Sequence, residues 1–507
     1  MSRSARLNVR MCGGCLEKMR EIDRLKNKLE KKNRHIASLE KKLGERRRSP
    51  DELPFGDSTP SSKKPFKVNS PDEKRRLKGG ASLGHDGHGR KIPETFEPPE
   101  RLDAGCSCPG CGGFAKVRKT EERHVRDYIP ERVVDRSFLV ETSECQTCGR
   151  LTEAEVPDTA SRGKYTSTFL SHAAGEHYFQ GRTQGDVCER FGIGRGAFNH
   201  AMQRMAGDLE TCMDRLVRQF LADPVRFGDE TGYREDGVGR YAWLLSSRRT
   251  SIFLVGQSRA TSVPLDLIAP HMAAPDTFFA GVLVVDRYSA YNRLPFELQY
   301  CYAHLKRDVE KLEKQFPKNI EVRKFCRALG RQLAAAMKLR KKKMSDSKYY
   351  EKARKIASKI IGICDSQASH QGIQDIQNIF RKNPHRLYHW VRDRRVPADN
   401  NYSERGLRPL VISRKLSFGT QSARGSRART VLMSVLHTLE KRGFDPASRL
   451  REAMNLKAAN PDADLADFLF PEAPRDPPLR SPPAQSVYSN IPNDIQETCP
   501  AAAAGTG

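Results

Sequence analysis

The sequence predicts a mixed α/β core with a long helical insertion, and three observations carry that prediction. Short β-rich apolar runs separated by turn residues recur between residues 225 and 302, and a strongly basic, helix-patterned stretch follows to about residue 395. Ahead of the core, two Cys-x2-Cys pairs flank strand-like sequence. The 507-residue chain has room for roughly two to four folded units. Lys and Arg number 89 against 62 acids, a net charge of +27 spread along the chain, which calls for a polyanionic partner. Nucleic acid fits better than a membrane. No run reaches the ~18 to 20 apolar residues of a span, and the polar N-terminus lacks the apolar core of a signal peptide. The 13 cysteines are an odd, clustered count, which favours metal sites and buried thiols in the cytoplasm over a disulfide framework.

Residues 16–47 read as one charged helix. Ile22, Leu29, Ile36 and Leu43 fall at heptad position a and Leu25 and Leu39 at d, with Lys32 breaking the series. Three heptads predict a short coiled coil and self-association, with a solvated surface helix as the alternative. Cys12 and Cys15 have no second pair and receive no role. Residues 48–100, rich in Pro, Ser, Gly and Lys, read as a basic flexible linker, whose Gly84-to-Lys91 stretch could run along DNA phosphates.

Residues 101–156 contain Cys108, Cys111, Cys145 and Cys148, with alternating strand sequence from Arg132 to Thr142 between the pairs. Each pair makes a tight turn presenting two thiolates, so two pairs complete a tetrahedral Zn2+ site. Cys106 is a spare or a substitute for Cys108. A closed four-thiolate ribbon is structural, because it leaves no open coordination position. Residues 157–222 read as helical. From Gln184 to Phe198 the pattern is helix, glycine-containing turn, helix, with Arg190, Arg195 and Arg204 available for phosphates. This is either a helix-turn-helix DNA reader or ordinary core packing.

From 223 to 425 the pattern becomes α/β. A strand ends at Asp229, and the turn Glu235–Gly239 leads to strands Tyr241–Leu245 and Ser251–Val255. A short helix near Val263–Met272 precedes the apolar run Gly281–Val285, which ends at Asp286. Strand Leu298–Tyr302 leads into a helix near His304 and the helical insertion, about 305–395. Glu404 follows, just inside a helix that starts after Pro397-Ala398-Asp399-Asn400-Asn401. Residues 426–470 are expected to be helical and 471–507, with Pro-Pro pairs, a disordered tail. Three ionised carboxylates cannot crowd together unless a cation neutralises them. Acids at the ends of the first and fourth strands and on a later helix describe a ribonuclease-H-like nuclease core that acts on phosphodiesters with Mg2+.

The chain resembles transposases of the IS66 insertion-sequence family, in the Asp-Asp-Glu group, from the coiled coil to about residue 456. The resemblance rests on Gly84-His-Asp-Gly-His88, the paired Cys-x2-Cys ribbon, Asp229-Glu-Thr-Gly232, and Val285-Asp286-Arg-Tyr-Ser-Ala-Tyr291. It rests further on Cys301-Tyr-Ala-His304-Leu-Lys-Arg307, on Asp399 through Glu404 to Arg408-Pro, on Arg414-Lys415, and on Gly443-Phe-Asp-Pro446. It implies DNA cleavage at transposon ends and strand transfer into target DNA, with Asp229 bridging two Mg2+ (or Mn2+) ions between Asp286 and Glu404. Two positions depart from the family pattern: Arg287 where Gly is usual and Tyr302 where Trp is usual. Arg405, Arg408, Arg414 and Lys415, close behind Glu404, could clamp DNA phosphates. Cys301 and His304 could bind a metal or brace the sheet edge. The partners implied are DNA, a second copy of the chain and small accessory proteins of the same element. The competing functions are a catalytically inactive DNA-binding regulator derived from a transposase and a structure-specific nuclease on the same fold.

Overall fold

The computed structural model describes residues 98–129, 132–159, 163–274, 277–472 and 477–479, together with Glu21 and Leu25. The expected coiled coil, apart from Glu21 and Leu25, lies outside the described residues, as do Cys12, Cys15, most of the 48–100 linker and most of the 471–507 tail. Among the described residues no helix is long and apolar enough to cross a membrane.

The cysteine-rich module is a four-stranded sheet of β1 (Glu100–Leu102), β2 (Ala115–Ile129), β3 (Arg132–Cys145) and β4 (Leu151–Glu153). β2 and β3 form a long antiparallel hairpin, with β1 parallel and β4 antiparallel to β3. β2 gives little sequence signal, because it is mostly charged and exposed. Pairing along β3 and a small core of Val125, Phe138, Val140, Ala154 and Val156 hold it in place. The hairpin end is fastened to the helices that follow. Tyr128 stacks on Phe191 at 5.2 Å, and the Thr166 hydroxyl donates to Asp127 at 2.6 Å.

Helices α1 (Ser167–Ala174), α2 (Gln184–Arg190), α3 (Arg195–Asp208) and α4 (Glu210–Ala222) come next, with a π-helical turn at Gly175–Phe179. Thr183 caps α2 by accepting the Asp186 N–H. The α2–α3 connection turns at Gly192, whose φ of 58° suits a residue without Cβ. α3 buries Phe198, Met202 and Met205 and leaves Arg195, Asn199, His200 and Arg204 exposed.

The central sheet contains β5 (Val225–Glu235), β6 (Val238–Ser246), β7 (Ser251–Gly256), β8 (Phe279–Val285) and β9 (Phe296–Tyr300) in the order β7-β6-β5-β8-β9. The first three are antiparallel, whereas β8 and β9 run parallel to β5. Asp229 does not end its strand. β5 continues six residues beyond it as a hairpin with β6, and only the parallel pairing with β8 stops short of it, at Phe227 opposite Val284. Both faces are covered. Trp243, Leu283 and Val285 join the large helical core, while Val225, Phe227, Val282, Val284 and Val396 form a smaller cluster on the other side.

A short α5 (Ser262–Ile268) bridges β7 and β8. After β9 the chain enters α6 (Tyr302–Gln315), α7 (Ile320–Leu339), α8 (Asp346–Asp365), α9 (Gln371–Lys382) and the single turn α10 (His389–Arg392). Asn319 and Ser345 cap α7 and α8, whose apolar stripes meet through Leu329, Leu333, Ala353 and Ala357. Buried Tyr302, the departure from Trp, packs edge-on against Trp390 and donates its hydroxyl to the Leu387 carbonyl at 2.6 Å, so this side chain ties the segment around α10 to the sheet end. α11 (Asn401–Ser417), α12 (Ala423–Lys441), α13 (Pro446–Ala459) and α14 (Leu465–Leu469) complete the fold.

α12 solves the problem of the open sheet edge at β7. Ser434 and Thr438, one turn apart, accept the N–H groups of Phe253 and Ser251 at 2.9 and 3.0 Å. Lys441, a turn further on, donates to the Ser247 and Thr250 carbonyls at 3.0 and 2.8 Å, and burial pulls its ammonium down to about 7. Replacing Ser434 by Ala or Thr438 by Val leaves a buried N–H unpaired. Each change is expected to cost about 1–3 kcal/mol in urea unfolding, and unchanged midpoints would show that the edge needs no such cover.

Candidate active site and metal centre

The geometry of the acids follows from strand register. Phe227 pairs with Val284 across parallel neighbours, so two residues on Asp229 is level with Asp286 and on the same face. Glu404 comes to that face from the first turn of α11. Asn400 anchors this turn. Its side-chain amide donates to the Gly228 carbonyl at 2.8 Å, and its backbone N–H donates to Cys301 Sγ at 3.1 Å. Tyr402, packed at a tilt against Phe227 with ring centres 4.7 Å apart, donates to the Ser247 carbonyl and adds a second tether. Gly228 has a packing role of its own, because a Cβ there would meet Tyr291 at 3.0 Å and Val285 at 3.2 Å.

Asp229 is nearly buried, and burial, followed by repulsion from Glu230, Asp286 and Glu404, pushes its carboxyl up to about 8. Its Oδ1 accepts the Glu230 N–H at 3.0 Å, and Asp286 Oδ1 accepts the Tyr288 N–H at 2.8 Å. Burial, with neighbouring acids adding to it, holds back ionisation of this carboxyl, and a nearby divalent cation would favour its ionised form. Asp229, Asp286 and Glu404 could hold a divalent cation.

Glu230 takes the opposite face of β5, as strand alternation requires, and is not solvated. Its carboxylate accepts from Arg259 Nε at 2.7 Å and from the Tyr291 hydroxyl, and the Arg259 guanidinium lies 3.8 Å from the Tyr288 ring centre. This Glu230–Arg259–Tyr291 set braces the strand beneath Asp229. Sequence reasoning gave none of these three a bracing role, and the acidic pair Asp229-Glu230 was the available signal, since neighbouring strand residues must face opposite ways.

Arg287, the departure beside Asp286, pairs with Asp308 on α6, so its guanidinium is engaged within the fold. The four expected phosphate contacts divide. Arg405, Arg408 and Lys415 are exposed, but Arg414 is buried and donates to the Thr231 hydroxyl at 2.6 Å and to the Gly232 carbonyl, which leaves it committed to β5. Its position in the last helical turn, where a core-facing residue recurs, is what sequence proximity to Glu404 did not convey.

The four ribbon cysteines gather at one end of the cysteine-rich sheet. Their sulfurs lie 3.6 Å apart for Cys108 and Cys148, 3.5 Å for Cys111 and Cys145, and 3.4 Å for Cys111 and Cys148. A tetrahedral ion with Zn–S of ~2.3 Å has sulfur–sulfur edges of about 3.8 Å, close to these spacings and far from a disulfide. The two turns match. Gly112 and Gly149, each following the second cysteine of its pair, have φ of 70° and 71°. Hydrogen bonds from the Cys148 and Thr147 N–H groups help bring the Cys145 thiol down to about 6, against the cost of burial. Cys106 is exposed and outside this set, so the cluster uses Cys108. This cluster could bind zinc. A second group of donors also converges: Cys301, His304 and Glu404.

The comparison with known proteins gives the class, that of a DNA-processing enzyme. Residues 162–428, just over half of the chain, match the family described as transposase IS66 family, and the chain belongs to that family. Two proteins of Sinorhizobium fredii are similar along most of their length. The uncharacterized protein y4qI is 25% identical over 431 residues, covering 76% of each chain. The uncharacterized protein y4jD is 22% identical over 406 residues, covering 71% of this chain and 75% of the relative.

Elemental analysis after dialysis should find about one tightly held zinc per chain, lost in Cys145→Ser; a folded, zinc-free wild type would refute the cluster as a metal centre. The Asp229 shift has a stability consequence. Its folded pKa of about 8 lies above the ordinary 3.8, so the folded state keeps a proton that the unfolded state releases. Metal-free stability should therefore fall as pH rises from about 4 to 8. Asp229→Asn escapes that loss and should be more stable than wild type at pH 8 in Mg2+-free buffer, by about 1–3 kcal/mol. Mg2+ should then stabilise the wild type and not the variant. Denaturation curves that are superimposable at both pH values would contradict the assignment.

Proposed function

We propose that this chain is a DNA transposase that binds the terminal inverted repeats of an insertion sequence, cleaves the DNA ends and transfers them into target DNA. The observation that carries the proposal is that a chain of the IS66 family sets Asp229 within electrostatic reach of both Asp286 and Glu404. Divalent cations held by these acids supply, when bound, activation of the attacking oxygen and stabilisation of the leaving oxygen of a phosphodiester. Asp229, whose carboxyl feels both Asp286 and Glu404, would be shared between the ions, and Asp286 and Glu404 would each help to hold them. Asn400 and Tyr402 keep Glu404 in register with the strands, and the brace beneath Glu230 keeps Asp229 from moving.

The strand order, an antiparallel trio followed by two strands parallel to its first member, supports a ribonuclease-H-like core over 223–425 with the helices of about 305–395 inserted into it. The sheet of 101–156 and the helices of 157–222 are read as DNA-binding modules, the exposed Arg195 and Arg204 of α3 facing phosphates. Beside the site, Arg405, Arg408 and Lys415 are positioned along the exposed side of α11 for the backbone of the cleaved strand. Self-association through residues 16–47 would hold two ends together, and small accessory proteins of the same element are further partners.

The test uses linear DNA carrying the inverted repeats that flank the coding sequence. Cleavage at the repeat ends should require Mg2+ or Mn2+ and fall by about three orders of magnitude or more in Asp229→Asn and Glu404→Gln, with folding intact. Undiminished cleavage by Asp229→Asn refutes the catalytic assignment. Repeat-specific binding by the wild type without cleavage would instead identify a DNA-binding regulator.

A further inference from the structure

Cys301 and His304 are spent neither on the catalytic acids nor on the ribbon. Cys301 stands at the N-terminus of α6 with His304 in the first turn of that helix, and the buried Cys301 sulfur accepts the Asn400 N–H at 3.1 Å. His304 Nδ1 is buried, has no hydrogen-bond partner, and lies 3.9 Å from Glu404 Oε1. The donor atoms of Cys301, His304 and Glu404 are all within 4.8 Å of one another.

We infer that Cys301, His304 and Glu404 form a second metal site for a borderline transition ion such as Co2+ or Zn2+, sharing Glu404 with the catalytic acids. The inference rests on the catalytic reading only for what the site does, not for its existence. A sulfur, an imidazole nitrogen and a carboxylate form a donor set that Mg2+ avoids and such ions prefer. Tetrahedral coordination with Zn–S of ~2.3 Å and Zn–N of ~2.0–2.1 Å needs donors about 3.3–3.8 Å apart. The set closes by a shift of about an ångström, which the half-exposed Glu404 side chain can make. Binding displaces the Cys301 thiol proton to solvent, and solvent completes the shell. With the ion bound, Glu404 is held towards α6, and its competing contact with Arg307 at 3.2 Å is released.

The test adds CoCl2 to the full-length, zinc-loaded protein and follows cobalt stoichiometry and the near-ultraviolet thiolate-to-cobalt charge-transfer band. One further cobalt per chain with that band is expected. Cys301→Ser should lose the band, and His304→Ala should weaken cobalt binding by about 10- to 100-fold. Asp229→Asn should keep the band while losing DNA cleavage, which separates this site from the catalytic one. The absence of the band in wild type, or a band undiminished in Cys301→Ser, overturns the inference. Should Cys301→Ser fail to fold, unchanged cobalt affinity in the part-exposed His304→Ala overturns it equally. Cleavage by Asp229→Asn would overturn the catalytic reading and leave the cobalt result to be judged by itself.

Discussion

The pairing of Phe227 with Val284 is the constraint on which the site depends. Parallel neighbours hold equal registers, so fixing that one pair brings Asp229 and Asp286 side by side about 4.8 Å apart, on a face chosen by strand alternation. A slip of one residue would send Asp229 into the apolar face and Glu230 to the acids. Everything near the junction guards against it. Gly228 leaves room for Tyr291, Glu230 is clamped by Arg259 and Tyr291 on the far face, and Asn400 bonds to the carbonyl that precedes Asp229. The site is thus a packing result before it is a chemical one.

Positive charge is put to two uses in this chain. Arg405, Arg408 and Lys415 remain exposed, but Arg226, Arg414 and Arg429 are buried and donate to carbonyls and hydroxyls of the fold. Arg226 alone takes the Phe220, Leu221 and Ala280 carbonyls and so fastens α4 and β8 to the start of β5. A net charge of +27 therefore overstates the surface available to nucleic acid, since several guanidiniums serve as internal struts where helix ends and strand ends would otherwise leave acceptors unpaired.

Strands with apolar faces were legible. β6, β7 and β8 lie close to the runs Tyr241–Leu245, Ser251–Val255 and Gly281–Val285, because alternation and β-branched residues mark a buried strand. β9 and α6 begin about two residues earlier than the expected Leu298 and His304. β2 escaped notice because charged residues dominate it and its stability comes from its partner. The end of β5 was misjudged for a related reason: Asp229 resembles a strand terminus, yet the hairpin with β6 carries the strand past it. Arg414 shows the same limit for a side chain, since nearness to Glu404 in sequence does not reveal which side of α11 faces the sheet.

By itself the sequence determined the chemistry available: the three acids, the two Cys-x2-Cys pairs with their trailing glycines, and a basic chain suited to DNA. Those follow from residue type and short spacing, which local backbone geometry translates directly. Only the tertiary structure decided which groups share a space. It set Asp229 within electrostatic reach of Asp286 and Glu404, 57 residues on and 118 further, and His304 against Glu404. It also turned Glu230 and Arg414 into supports. Such choices depend on strand register and helix rotation, which are fixed by burial along whole elements and not by any local run of residues.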